Sequence, residues 1–587
     1  MCLRRGHCRS RPASAFGGSP RPIVKNFNHF ASEPILLSFS GVYVLQQQEI
    51  DFILHPPSVP LIRGVGSARL CSPGETANGD HHHVPSRPVR PAFGMSPSDS
   101  EAAATPPTPL RSGPGIAIVG AGFSGTLLAL HLLQRVPPYT RVVLIERNAQ
   151  FGRGPAYSTG NSSHLLNVPA GKMSAFHSRP GDFLQWLRGL SPEELCDIDT
   201  KPTGFVPRRM FGRYIRHLLN LEMKSPDRRD QLELVRGDVT DIVANGGGLT
   251  LTLDRNRTIE VDRAVLAIGN FPPAPPPVAD KSFYDTPFYR ADPWAPDTLT
   301  DLDPDLPVLL IGTGLTTIDS VISLLDQGHR GPITALSRRG LLPHRHASAP
   351  PADLPETDSF PTSVNELARV LRLGSQRNVE AGGNWHAVID ELRPITTELW
   401  QAMPHKDRAR FLRHLRPWWD VHRHRVAGPV AERIEQVRAS GQLRIRAGRI
   451  REYRTRPDGL VDIFYRPRFA DHLDSVTAGR VVNCAGPDAD YSRIRDPLVR
   501  SLLANGMVRP DALCLGLDVT GNCALLGRDG SISRRLFAVG PVTKGTFWEM
   551  TAVPDIRQQA EFLAGQLAQL IKPVRPGSQA THQEQVR

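Results

Sequence analysis

GIAIVGAGFSGTLLALHLL, residues Gly115–Leu133, decides the fold. From Ile116 a short unbroken apolar run reads as a buried strand, and GTLLALHLL reads as an amphipathic helix. RVVLIE, ending at Glu146, reads as the next strand and completes a βαβ unit. Between strand and helix, Gly120, Gly122 and Gly125 form G-x-G-x-x-G. The first glycine makes the turn, the second lets a pyrophosphate reach the backbone, and the third lets helix and strand pack closely. The helix N-terminus then faces the phosphates. Glu146 closes the second strand, where a carboxylate accepts hydrogen bonds from a ribose diol. Turn, helix and terminal acid together read as a dinucleotide site, where the turn alone would be only a tight turn.

A second unit follows in VLLIGTGLTTIDSVISLLD, Val308 to Asp326. Gly312 and Gly314 fill the first two positions, and Thr317 stands where the third glycine would be. That substitution predicts looser helix–strand packing with the phosphate site kept. Glu146 lies 26 residues after Gly120, and Arg338 lies 26 residues after Gly312. The position that is acidic in the first unit is therefore arginine in the second, between Ser337 and Arg339. An acid there suits a free ribose 2′-OH, whereas an arginine pair suits a 2′-phosphate. The competing reading is ordinary solvated charge at a strand end. The two cradles thus read as having different occupants: FAD in the first, NADPH or NADH in the second.

The chain has 587 residues and a net charge of +12. Residues 1–94 hold ten Lys/Arg against five Asp/Glu, and the other +7 is spread thinly, which argues against a nucleic-acid groove. The seven cysteines, Cys2, Cys8, Cys71, Cys196, Cys484, Cys514 and Cys523, form no C-x-x-C, so neither a dithiol centre nor a zinc ribbon is signalled. No apolar run reaches the roughly 18–20 residues of a membrane helix. A reducing cytoplasm is the expected setting.

Residues 1–112 are rich in Pro, Ser, Arg and His without sustained periodicity, and read as a disordered or mis-assigned leader with Met95 as an alternative start. The expected fold class is α/β, with two Rossmann-like dinucleotide-binding domains and a helical insertion. Its boundaries read as an FAD domain over 113–300, a nucleotide domain over 301–350, helices over 351–445 shaping a substrate cavity, return strands over 446–475, the rest of the FAD domain over 476–572, and a tail over 573–587.

Several further stretches resemble the two-dinucleotide-binding-domain flavoproteins, and among these the flavin-dependent monooxygenases. They are GRGPAYST (Gly152–Thr159), HLLNVPAGKMSAF (His164–Phe176), FVPRRMFGRYIRHLL (Phe205–Leu219), ELVRGDVTDI (Glu233–Ile242), AVLAIGNFPPAPP (Ala264–Pro276), VVNCAGP (Val481–Pro487) and LFAVGPVTKGTFWEMTAVPD (Leu536–Asp555). The resemblance implies adenine contact near Val235, domain-crossing strands ending at Gly269 and Gly486, and a closing FAD segment at Gly540. The sequence departs from the pattern at Pro541, where the family usually carries Asp. The nearest activity the resemblance implies is FAD-dependent hydroxylation of urate to 5-hydroxyisourate, with NAD(P)H and O₂ consumed. The alternatives are an amine N-hydroxylase, or a flavin reductase or dehydrogenase passing electrons to a partner or quinone.

Because oxygen chemistry belongs to the flavin, no catalytic triad is expected. Asn167, Lys172 and Glu549 are candidates near the reacting centre, and Lys172, Arg208 and Arg209 are candidates for holding an anionic substrate. The opposite reading makes the cations surface or FAD-phosphate contacts. His422 and His424 beside Asp420 do not read as a metal site, since an H-x-H on a helix points its rings to different faces. Trp400, Trp418 and Trp419 read mainly as core. The expected partners are a small-molecule substrate and O₂, with no nucleic acid and no membrane.

Overall fold

The computed structural model describes residues 114–148, 150–195, 198–348, 351–352 and 360–571. The 1–112 leader, the 573–587 tail and Cys2, Cys8, Cys71 and Cys196 lie outside them. Two mixed, mainly parallel sheets carry the two glycine turns, and in the second the pairs among Leu443–Thr455, Val461–Pro467 and Asp474–Ala478 are antiparallel. In the first, six strands run in the order Ala524–Leu526, Ile532–Ala538, Arg263–Leu266, Gly115–Val119, Arg141–Glu146, Leu232–Arg236. All neighbours are parallel except the outermost pair, Ala524–Leu526 with Ile532–Ala538. Every residue of Gly115–Val119 is buried, as a strand covered on both faces requires. A three-stranded antiparallel ribbon, Val239–Asn245, Gly248–Leu253 and Thr258–Val261, covers one side.

The helix Phe123–Leu133 differs from the amphipathic reading: all eleven residues are buried. Its sheet face packs on the first core, and its outer face is covered by Arg208–Lys224 and by the closing helix Val553–Gln569. A helix enclosed on all sides has no use for a polar face.

The second sheet has seven strands, in the order Asp474–Ala478, Val461–Pro467, Leu443–Thr455, Ile333–Ser337, Val308–Ile311, Arg480–Asn483, Tyr289–Arg290. Arg480–Asn483 pairs in parallel with Val308–Ile311, its Val481 and Val482 fully buried. Those residues therefore belong to the second sheet, and the chain returns to the first layer after Asn483, later than the expected 476. The helical stretch also divides. Val364–Glu380, Trp385–Glu391, Thr396–Ala402, His405–His414 and Arg416–Arg423 form the insertion. Gly428–Ala439 instead packs Val430, Ile434 and Val437 onto the second sheet with Val308 and Ile318. It is the crossover helix between two parallel strands, the connection such a pair demands. Among the described residues no helix is long and apolar enough to cross a membrane.

Candidate functional site

In the first turn, Gly120 has φ +103°, and a Cβ there would stand 2.4 Å from the Ala267 carbonyl oxygen. At Gly125 a Cβ would fall 1.9 Å from the Gly120 oxygen, so the third glycine is required by contact. The helix after Gly122 has no side-chain cap and no acid in its first turn. Its orphan amide donors and positive dipole end thus remain available to an anion. Glu146 accepts from the Ala121 amide at 2.8 Å and the Asn148 amide at 3.0 Å, which fixes its carboxylate beside the turn. A cleft of about 1070 Å³ opens here, lined by Gly120, Gly122, Glu146, Gly237, Gly269 and Asp319. These residues fit FAD: a cradle that side chains would fill, an uncapped helix, and an acid for a ribose.

The second turn repeats the geometry. Gly312 has φ +117° with the Cys484 carbonyl oxygen 2.5 Å from a Cβ position, and nothing lies within 4 Å of one at Gly314. The helix Leu315–Asp326 again has no side-chain cap. Thr317 is buried in the place of the third glycine. Ser337 is held within its own loop, its hydroxyl 2.9 Å from that of Thr313 and accepting from the Gly340 amide at 2.9 Å. Arg338 is exposed and makes no hydrogen bond or ion pair with the described residues. Arg339 is half-buried, its guanidinium 6.0 Å from the Trp418 ring. Partial burial, then Arg468 and Arg338, hold the Arg339 guanidinium below the usual arginine range. The charges acting on Arg339 are thus both cations, a setting that suits a phosphate.

The remaining expected cofactor residues lie on loops and strand ends. Gly269 lines the cleft at φ +69°, and Gly486 has φ +88° with open space beside it. Val235 is half-buried on the strand beside Ile145, two residues before Gly237. Gly540 has φ +83° and lies against Ser124 of the first helix. Its amide donates to Gln559 Oε1 at 2.8 Å, and Gln559 Nε2 donates to the Thr543 hydroxyl at 2.9 Å. Gln559, buried on the closing helix, thereby fixes the Gly540–Thr543 turn where the family pattern has Asp, a role no local motif signals.

The candidate substrate residues do not gather in one place. Lys172 and Arg209 are exposed. The Asn167 carbonyl accepts from His346 Nε2 at 2.9 Å. Arg208 is committed to Asp319 through a two-pronged pair at 2.7 and 3.2 Å. Glu549 is buried: the Trp419 indole donates to it at 2.8 Å, and Arg423 lies 3.4 Å away. Burial opposes its ionisation, but Arg423, then His424, the Trp419 N–H and Lys544 outweigh it and hold the carboxyl below its usual range. The insertion grips this closing segment: Trp400 Nε1 donates to the Gly545 carbonyl at 2.8 Å and Thr397 to that of Phe547 at 3.0 Å. Directly after Phe547, Trp548 has φ 58° and ψ −73°, and the Glu549 amide donates to the Phe547 carbonyl at 2.8 Å. That is a γ-turn of the rare, strained hand. No group of three or more His, Cys, Asp or Glu among the described residues stands ready for a metal.

Residues 117–271 match a family model described as FAD-NAD(P)-binding. No curated protein matches in sequence. Among solved structures, the ornithine hydroxylase of Pseudomonas aeruginosa aligns with a TM-score of 0.52 at 16% identity, over 78% of this chain and 99% of that one. The ornithine N-hydroxylase of Kutzneria sp. 744 aligns with a TM-score of 0.54 at 14% identity, over 78% and 99%. The cadaverine monooxygenase of Erwinia amylovora aligns with a TM-score of 0.52 at 12% identity, over 80% and 99%. At such identities the likeness establishes the fold. Residues 117–271 thus carry an FAD-NAD(P)-binding domain, and the two glycine cradles stand on the fold shared with these flavin-dependent hydroxylases.

Proposed function

We propose that the protein is an FAD-dependent, NAD(P)H-consuming monooxygenase that N-hydroxylates a small primary amine. The observation that carries this is the cleft joining the first glycine turn to Asp319 on the helix of the second. Such a cleft brings a nicotinamide donor and a flavin acceptor together. The likeness to ornithine and cadaverine hydroxylases supports the amine over the purine reading. Urate gains no support from them. Among the described residues Cys484, Cys514 and Cys523 are free, and the sequence has no C-x-x-C, which disfavours a dithiol reductase.

Bound FAD would supply oxygen activation and the nicotinamide a hydride, with the chain binding, orienting and excluding water. Gly120, Gly122, Glu146 and Gly269 would hold FAD, and Gly312, Gly314, Arg338 and Arg339 the nucleotide. Lys172 and Arg209, both exposed and cationic, are the candidates for an acidic group on the substrate. Glu549, with its strained neighbour Trp548, is held against the insertion as a positioned carboxylate.

The test measures NADPH and O₂ consumption by FAD-loaded protein with L-ornithine, L-lysine, cadaverine, urate or no substrate, with hydroxylamine product assayed directly. Amine-stimulated uptake with little peroxide supports the proposal. Turnover only with an artificial electron acceptor, or stimulation by urate alone, refutes it.

A further inference from the structure

Arg208 and Asp319 lie on opposite sides of the boundary between the two cradles. Arg208 begins the helix Arg208–Lys224, which packs on the first glycine helix. Asp319 sits seven residues after Gly312, on the second glycine helix, and lines the cleft shared with Gly120 and Gly122. Both side chains are largely buried, at 13% and 9% exposure, and Arg208 Nε also donates to the Leu165 carbonyl at 3.0 Å. His164 completes the joint. Its Nε2 lies 3.0 Å from the Asp319 carbonyl and 2.9 Å from the Ser323 hydroxyl, and its Nδ1 lies 2.8 Å from the Thr159 hydroxyl. The His164 carbonyl accepts from the Arg208 amide at 2.8 Å. Two stretches from the first cradle's side, 159–165 and 207–208, are thereby tied to one turn of the second cradle's helix.

We propose that the Arg208–Asp319 pair, backed by His164, is the joint that sets where the nicotinamide of the second cradle meets the flavin of the first. This rests on the proposed occupants of the two cradles. Reduction moves a hydride from the dihydronicotinamide, which is oxidised to the pyridinium, to the flavin, which takes up both electrons. The transfer needs the reacting atoms at roughly 3–3.5 Å, and a misplacement of about 1 Å costs up to about a hundredfold in rate. A two-pronged pair resists both sliding and rotation of the helix, which a single contact would not. Arg208 and Asp319 are positioning residues: they act on the approach of the rings and take no part in the later reaction with O₂.

Removing one partner alone would strand a buried charge, so the decisive variant is the double Arg208→Met, Asp319→Leu, in which neither charge remains. In stopped-flow experiments its bound flavin is expected to be reduced by NADPH at least about tenfold more slowly at saturating nucleotide. Reoxidation by O₂ after dithionite reduction should stay within about twofold of wild type. In the FAD-free protein, amide exchange across Leu315–Asp326 should rise while that of Gly115–Val119 does not. Wild-type reduction rate with unchanged exchange overturns the inference. Loss of bound FAD from the double variant overturns it too, since the pair would then be maintaining the first cradle. A wild-type flavin that NADPH fails to reduce would instead refute the proposed function.

Discussion

Replacing Arg339 by Gln should separate the two pyridine nucleotides. Arg339 is half-buried and already pressed by Arg468 and Arg338, so a 2′-phosphate dianion would relieve a repulsion as well as make a bond. A hydrogen bond to a charged group contributes about 1.5–3 kcal/mol. At 1.4 kcal/mol per factor of ten, Arg339→Gln should raise KM for NADPH by about 10- to 100-fold. Arg338 is exposed, where ion pairs give about 0.2–1 kcal/mol, so Arg338→Gln should raise it by only about 1.4- to fivefold. NADH carries no 2′-phosphate, and its KM should move by less than about twofold in either variant. The assay is initial-rate oxidation of each nucleotide by FAD-loaded protein at saturating amine. Repeating it at about 0.5 M salt should shrink the Arg338 effect more than the Arg339 effect, since exposed charges are screened first. Equal shifts for NADPH and NADH in both variants would refute the phosphate role and leave the arginines as surface charge.

Gly125→Ala places a Cβ 1.9 Å from the Gly120 oxygen, so the purified variant should contain little FAD by absorbance; normal flavin content would show that the helix can shift without harm. Trp400→Phe removes the bond to the Gly545 carbonyl and leaves a buried acceptor unpaired, a loss of about 1–3 kcal/mol readable as a lower denaturant midpoint. Acid should also loosen the insertion. Burial pushes His344 down to about 3 and His346 to about 4 from an ordinary 6.5, so the unfolded chain binds more protons between pH 6.5 and 4. Stability from these groups is therefore complete above pH 6.5 and falls as pH drops towards 4, and a flat melting temperature across that window would contradict the burial.

The glycine turns were legible because their signal is local: spacing, strand and helix sit within some thirty residues. The same counting exposed the Glu146 to Arg338 exchange. Pairings across long separations left no such trace. Arg208 reads from sequence as a cation free for substrate, yet its partner Asp319 is 111 residues away. Only the fold shows that they meet. The helix Phe123–Leu133 reads as two-faced because nothing nearby announces that Val553–Gln569 will cover it. Gly428–Ala439 carries the same helical pattern as the insertion, and its role as a crossover is set by which strands it joins. At Trp548 a positive φ is reached without glycine, at a side chain packed against Trp400 and Phe411, contacts that lie far away in the sequence.

The placement of Ile532–Ala538 in the first sheet has a consequence for how the chain is made. It pairs directly with Arg263–Leu266, although the whole second sheet is synthesised between them. At about 5–20 residues per second, the growing chain holds that edge of Arg263–Leu266 open for roughly 15–50 s. An unpaired strand edge is a template for pairing with other chains. Nascent molecules thus depend on the intervening domain folding promptly out of the way, and on chaperones shielding the gap. A product truncated before Ile532 would be an aggregation hazard instead of a weakened enzyme.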